Sequence, residues 1–439
     1  MASPVQSVGP TALIRGVRRW DLVALMINCI IGAGIFGLPS QIYSLTGAYS
    51  LVAFGACALL VGLLAACYAE VSSRFTETGG PYLYATEAFG QLIGFQVGWI
   101  AVLARLSSLA FISNVMVNYL SFFWPAADQR LWRTAVIICV FAVLTAINLI
   151  GVRQTAVTSD VITIGKLAPI FLFIVAGLFF LDPHRFSFEV RPSPGAFSMS
   201  VAQLFYAFTG LELGSIATGE TLDPRRNMPF AILTAMGVVV TVYILIQVVC
   251  IGTLPGLASS QKPLADASRL FIGTAGASII TAGVMISALG TLNATVLGGS
   301  RLLFAMAEHG GLPRIFGYVH PRFHTPSTAI LVVVALGLAL ACTGTFRYVL
   351  TLTAISKLIT FIAATAALPV LRRRPGSPPA LVRIPAGFTL SVIGVALCIW
   401  LIAHSGWREV RDVAVVSAAG FAVYFFSQRR RGKTAAVSP

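Results

Sequence analysis

Residues 30–39 read Ile30-Ile31-Gly32-Ala33-Gly34-Ile35-Phe36-Gly37-Leu38-Pro39, three glycines and a proline in the middle of an apolar stretch that runs from 21 to 45. A stretch of that length and character crosses a bilayer as a helix, yet glycine and proline are poor residues for a continuous one. A second interruption lies at Phe205-Tyr206-Ala207-Phe208-Thr209-Gly210-Leu211-Glu212, where a glycine and an acidic residue fall at comparable depth in the stretch 198 to 221. Irregular backbone at membrane depth is tolerated only where it is buried in protein or lines a cavity. Gly32 and Gly34 alone would equally suit tight helix packing; the second break turns the reading toward a binding site.

The surroundings of these breaks fit a membrane protein. Of 439 residues 57% are hydrophobic and only 10% charged, against roughly 25% charged in a soluble domain. Twelve apolar stretches follow one another at 21–45, 49–72, 90–123, 134–151, 156–181, 198–221, 228–253, 276–308, 326–345, 347–371, 386–404 and 409–427. They are continuous, as in Ala135 to Leu149, whereas a barrel strand alternates over roughly 10 residues. The expected fold is an all-α polytopic membrane protein of about twelve helices, with no room for a large soluble domain.

If the first five helices (21–181) form one unit and the next five (198–371) another, the interrupted helices are the first member of each. Five being odd, the two units are inverted, which is the sequence pointer to an alternating-access carrier. Helices 11 and 12 (386–427) stand outside this repeat, with tails at 1–20 and 428–439.

The net charge of +15 raises the question of nucleic acid, and the placement of the charges answers it. Loops on the side of the N-terminus hold 18 Lys and Arg, opposite loops hold 9, and Arg105, Lys166 and Lys357 fall inside spans. That asymmetry predicts both termini in the cytoplasm of a plasma-membrane protein, with the bilayer and not nucleic acid as partner. The seven cysteines all fall in apolar stretches without metal-ligand spacing, so neither a disulfide nor a metal site is expected. The first stretch is too long for a signal peptide and lacks a small-residue cleavage site. His184, His309, His320, His324 and His404 show no ligand pattern, and no cofactor is implied.

A broken helix exposes amides at one new end and carbonyls at the other, and the half-helix dipoles reinforce both. Amides around Ala33, Gly34 and Ile35 suit a carboxylate. Carbonyls around Ile30, Ile31, Tyr206 and Ala207 suit an ammonium, and the glycines Gly32, Gly34 and Gly210 let a small solute come close. The chemistry of these two breaks, with Phe208 and Thr209 in the second, is that of a receptor for a zwitterion.

Several motifs resemble those of the amino acid, polyamine and organocation (APC) superfamily of transporters. Gly32-Ala33-Gly34-Ile35-Phe36 is similar to the family's Gly-x-Gly-Ile-Phe. Glu70 with Arg74-Phe75, and Gly79-Gly80-Pro81-Tyr82-Leu83-Tyr84, are similar to its acidic, Arg-Phe and Gly-Gly-x-Tyr-x-Tyr pattern. Glu220 to Pro229 resembles its Glu-x-x-x-Pro-x-Arg-Asn-x-Pro, and Ser300-Arg301, Ala305-Met306-Ala307 and Gly311-Leu312-Pro313 follow in order. Thr76 stands where proline is common, and Thr221-Leu222 replaces a more charged pair. The resemblance covers most of the chain and implies the five-plus-five inverted repeat and carriage of an amino acid.

It also assigns roles inside the membrane, where a charged group costs several kcal/mol. Lys166 resembles the fifth-helix lysine of sodium-independent, proton-coupled relatives, whose ammonium fills a sodium ion's space; apolar surroundings disfavour a charged amine, which lets it exchange a proton. The other reading is a permanent structural ammonium on first-helix carbonyls. Glu212 either couples protonation to gating or neutralises Arg105 or Lys357. Arg105, with Leu109 and Ile112, aligns with the wall that meets the substrate side chain; it either selects an acidic or polar acceptor or pairs with Glu212 or Glu70. Thr353 resembles a cavity hydroxyl, and Tyr206 and Phe208 resemble gates. Glu70 and Glu220 read as ion-pair partners near helix ends. The resulting expectation is a proton-coupled amino acid symporter or an exchanger, with oligomeric state left open. The rival is a polyamine or organocation carrier, and an enzyme, channel or receptor fits the paired breaks less well.

Overall fold

A computed structural model describes residues 18–32, 34–75, 80–150, 156–210, 212, 221–308 and 310–435, with backbone alone over 156–164 and 428–435. Ala33 and Glu220, both singled out above, lie outside the described residues, as does most of the N-terminal tail. All regular structure among the described residues is helical. Hydrocarbon offers backbone polar groups no water, and a helix satisfies them within one segment.

The first predicted span is two helices, α1 (Arg19–Ile30) and α2 (Gly34–Thr46). Next come α3 (Ser50–Ser72), the short α4 (Gly80–Phe89), α5 (Gln91–Leu120), α6 (Arg130–Ile150) and α7 (Ala156–Gly177). The sixth span opens with α8 (Pro194–Ala207). After it run α9 (Pro224–Thr253), the short α10 (Pro263–Phe271), α11 (Gly273–Glu308) and α12 (Ser327–Thr343). α13 (Phe346–Arg373), α14 (Gly387–Ala403) and α15 (Trp407–Ala435) complete the described chain. Each of the twelve predicted stretches carries helix. Among the described residues seven helical segments are long and apolar enough to cross a bilayer, and three shorter ones (Gly165–Phe180, Ser327–Thr343, Gly387–Ala403) are also apolar. α4 and α10 are additional, too short to span.

Local chemistry sets several starts. Proline opens α8, α9 and α10, where its missing N–H is no loss. Ser193 Oγ accepts from the Ala196 amide at 3.2 Å and Thr345 Oγ1 from the Tyr348 amide at 3.3 Å, capping α8 and α13.

α5 is apolar on all sides and almost wholly buried, packed by α11, α12 and α13. α1 and α3 lie on α9, and α2 lies along α8, so the two interrupted spans are neighbours. Outward-facing side chains such as Leu131, Val143, Phe388, Ile399, Val415 and Phe425 form the apolar exterior.

At the end of the bundle where α3 and α13 finish, Glu70 is fully buried. It pairs with Arg74 four residues on, at 3.5 Å, and accepts from Arg372 of α13 at 2.7 and 2.5 Å. The Ile384 amide donates to it at 2.9 Å, and Arg74 also donates to the carbonyl of Pro378. Arg225, opening α9, donates to the Ser73 carbonyl at 3.0 Å. The carboxylate thus holds three segments together. Removing one partner of a buried ion pair costs about 3 kcal/mol or more, because the other charge is stranded. Glu70→Gln is therefore expected to lower the thermal midpoint of the detergent-solubilised protein by several degrees; an unmoved midpoint in a fluorescence melt would deny the network that role.

Candidate functional site

The helical path of the first span stops at Ile30 and resumes at Gly34; that of the sixth stops at Ala207, where Phe208, Thr209 and Gly210 leave it. The two breaks meet. Gly210 has φ of +136°, and a Cβ built there would lie 2.5 Å from the Cys29 carbonyl oxygen. Only glycine permits both that conformation and that approach.

Between the breaks is a cavity of about 50 Å³, room for a few water molecules. Cys29, Ile30, Gly32 and Gly34 line it from the first span, and Tyr206, Ala207, Thr209 and Gly210 from the sixth. Arg105, Ser108 and Ile112 of α5, Thr291 and Thr295 of α11, and Lys357 of α13 close it. Eight of the residues anticipated from sequence thus share one space. Ile31, Ile35, Leu109, Phe208 and Thr353 are buried without lining it. Leu109 faces α12, where a Cβ on Gly337 would lie 2.9 Å from its Cδ1. Phe208 packs its ring on Tyr243, centroids 5.0 Å apart, and the Thr353 hydroxyl donates to its own helix at the Val349 carbonyl, 2.7 Å.

A broken helix end leaves up to four carbonyls without intrahelical partners, and several of them find donors elsewhere. Lys166 Nζ, from α7, donates to the carbonyls of Asn28 and Ile31, the latter at 2.8 Å. The Tyr243 hydroxyl of α9 lies 3.1 Å from the Ile30 carbonyl oxygen and 3.0 Å from that of Ala207, tying the two breaks together. The Tyr206 carbonyl accepts from the Thr209 amide at 3.1 Å and from its hydroxyl at 2.7 Å. Of the carbonyls expected to be free for an ammonium, those of Ile31 and Ala207 are engaged through one lone pair with a second left, whereas Tyr206 and Ile30, the latter also accepting from the Gly32 amide at 2.7 Å, already hold two donors each. At the other side of the first break, the amides that open α2 have no preceding turn to bond.

Tyr243, Thr291, Thr295 and Ser108 were not anticipated. The two threonines are one helical turn apart, Thr-x-x-x-Thr in an apolar helix, and that spacing is the signal that marks them. Tyr243 carried none, because a tyrosine in an apolar run looks like packing.

The charges resolve as follows. Lys357 Nζ pairs with the Glu212 carboxylate, which also accepts from the Gly210 amide at 2.8 Å. Arg105 has no hydrogen bond or ion pair among the described residues, and its Nε is buried without a partner.

A wider hollow of about 480 Å³ lies beyond α2, lined by Gln41, Asn114, Asn118, Arg133, residues 258–261 and Phe346. Three rings stand between the two spaces: Phe346 lies 4.8 Å from Phe111, and Phe111 meets Tyr206 edge-on at 5.0 Å.

Residues 18–425 match the family model described as amino acid permease. The chain belongs to this family, within the APC superfamily. The permease is 28% identical to the methylthioribose transporter of Bacillus subtilis over 95% of its own length and 94% of the relative's. It is 26% identical to the serine/threonine exchanger of the same organism over 93% and 96%. It is 30% identical to an uncharacterized transporter of Mycobacterium tuberculosis over 94% and 92%. Together with its apolar helices, these make it an integral membrane transporter.

Gly210→Ala in the permease would drive a methyl into the α1 backbone and strain the chain. Uptake in whole cells is expected to fall at least about tenfold, the strain and clash together exceeding 1.4 kcal/mol. Gly195→Ala, in open space at the start of α8, is expected to transport as wild type; equal activity of the two variants would refute the close-approach argument.

Proposed function

We propose that the permease is a secondary active amino acid transporter that works by alternating access and is coupled to protons, as a symporter or an exchanger. The observation that carries this reading is the meeting of two broken helices at one cavity. Amides at the start of α2 suit the carboxylate of a zwitterion, and the second lone pair of the Ala207 carbonyl suits its ammonium. Gly32 and Gly34 keep both sets within reach. The name of one relative, a serine/threonine exchanger, supports the same substrate class.

Alternating access needs a barrier on each side of the site. The Tyr206–Phe111–Phe346 stack closes the cavity toward the wider hollow, and the Glu70 network ties the opposite end of the bundle. In this reading the chain crosses the membrane twelve times, with repeats at 21–181 and 198–371 and both termini cytoplasmic. The side-by-side placement of α2 and α8 and the surplus of 18 over 9 basic residues on one side support that arrangement.

Lys166 is the proposed coupling group. Its ammonium sits on two carbonyls at the negative end of the α1 dipole, where a metal cation would otherwise find oxygen ligands. A sodium ion there would be repelled, while a proton leaving the amine would release the carbonyls and loosen the break. Glu212, paired with Lys357 across the cavity wall, is proposed as the second protonatable group.

A polyamine or organocation carrier is the second reading, since relatives differ in substrate and methylthioribose is no amino acid. Two cationic side chains in the cavity wall against one carboxylate weigh against a cationic solute.

The test is uptake of a panel of labelled amino acids into proteoliposomes with and without an inward proton gradient. Wild type is expected to accumulate substrate under the gradient, and Lys166→Ala to bind or exchange without gradient stimulation. A strict sodium requirement overturns proton coupling; uptake of polyamines and of no amino acid overturns the substrate class.

A further inference from the structure

Arg105 is a charged group in the middle of α5 that makes no hydrogen bond or ion pair among the described residues; the carboxylate whose field reaches it, Glu212, is paired with Lys357. Its guanidinium lies against α11, where a Cβ on Gly298 would fall 2.7 Å from Nη1. Its Nε is buried without a hydrogen bond, and the side chain forms part of the cavity wall. The two carboxylates that might have claimed it are engaged elsewhere. Glu212 is held by Lys357 and the Gly210 amide, and Glu70 by Arg372 and Arg74. The cavity wall therefore carries Arg105 and Lys357 against the single charge of Glu212.

An uncompensated cation in a low-dielectric interior is costly, and the solute that enters this cavity decides whether the cost persists. A neutral amino acid brings no net charge. Its carboxylate belongs to the α2 amides, so Arg105 stays unmatched. A basic amino acid adds to the imbalance. An amino acid with a second carboxylate removes it, and the planar guanidinium fork matches a carboxylate with two parallel hydrogen bonds.

The spacing along α11 is compatible with such a bridge. Thr291 touches the Gly32 position and Gly298 touches Arg105, and seven residues of helix rise about 10 Å. The first break and Arg105 thus lie about two helical turns apart along α11.

We infer that Arg105 is the specificity-determining residue of the transport site and that the substrate is a dicarboxylic amino acid whose side-chain carboxylate it receives. The α5 arginine then does for the side chain what the α2 amides do for the main-chain carboxylate. This rests on the amino acid reading above and narrows it.

The experiment measures uptake of L-aspartate, L-glutamate, L-asparagine, L-serine, L-leucine and L-lysine by the full-length permease in proteoliposomes, for wild type, Arg105→Gln and Arg105→Lys. Wild type is expected to favour aspartate or glutamate over serine and leucine by at least about tenfold in KM, the discrimination a hydrogen-bonding site readily exceeds. Arg105→Gln is expected to collapse that ratio, and Arg105→Lys to recover part of it. If Arg105→Gln transports nothing, thermal stabilisation of the wild-type protein decides: a larger shift with L-aspartate than with L-serine supports the assignment, and equal shifts overturn it. Amino acid uptake with no acidic preference, or one that survives Arg105→Gln, overturns this inference alone. Failure to transport any of the six overturns the amino acid reading beneath it.

Discussion

Peptide carbonyls in the middle of a membrane must find hydrogen-bond donors, and the rest of this architecture answers to that requirement. A regular helix meets it internally; two spans here do not, and their ends converge. Leaving one buried carbonyl without a donor costs about 1–3 kcal/mol. Donors are therefore imported from elsewhere in the bundle: an ammonium from α7, a phenol from α9, and a threonine from the break itself. The helices that supply them are placed where they are because the interrupted spans need them. In the proposed function, transport and stability draw on the same few peptide groups.

Much of this was legible in the residues. Gly32 and Gly34 alone also fit tight helix packing, and it is the second interruption at Gly210 that turns them into a break; Gly37 and Pro39 lie within α2. Lys166 is equally conspicuous as a lone cation in lipid. The helices themselves follow from length and continuity of the apolar runs. What the chain does not spell out is rotation and choice. Leu109 sits one turn from Arg105 yet turns toward Gly337 of α12, and Ser108 takes the cavity-facing position instead. Glu212 had two cations to choose from, and only their placement in space reveals that it takes Lys357. Tyr243 is hidden for a different reason: its ring packs among apolar neighbours while its hydroxyl reaches past them, and periodicity registers only the ring. α4 and α10, ten and nine residues long, fall below the length at which an apolar run is distinctive.

Charge is distributed unequally between the two ends of the bundle. Around Glu70, one carboxylate serves two arginines and a backbone amide, a dense polar lock in which every partner is protein. Toward the wider hollow, the separation is made by three aromatic rings in edge-on and tilted contact. Rings part with the loss of dispersion contacts and modest aromatic terms, about 0.5–1.5 kcal/mol per pair, whereas stranding a buried guanidinium costs several times that. In the proposed alternating access, the barrier of rings is the easier one to open, and the polar lock is the one to be traded for another set of partners.

The phenol of Tyr243 has a single hydrogen and stands within bonding distance of two carbonyls, one from each interrupted span. At any instant it can serve Ile30 or Ala207; Ile30 keeps the Gly32 amide at 2.7 Å either way, so it is Ala207 that depends on the phenol. That makes the junction a seesaw, with one small atom deciding between two settings. The proposed rocking of the first span against the sixth need not break this connection; it can simply hand the hydrogen across, and the Ala207 carbonyl, once released, is open to whatever has come into the chamber.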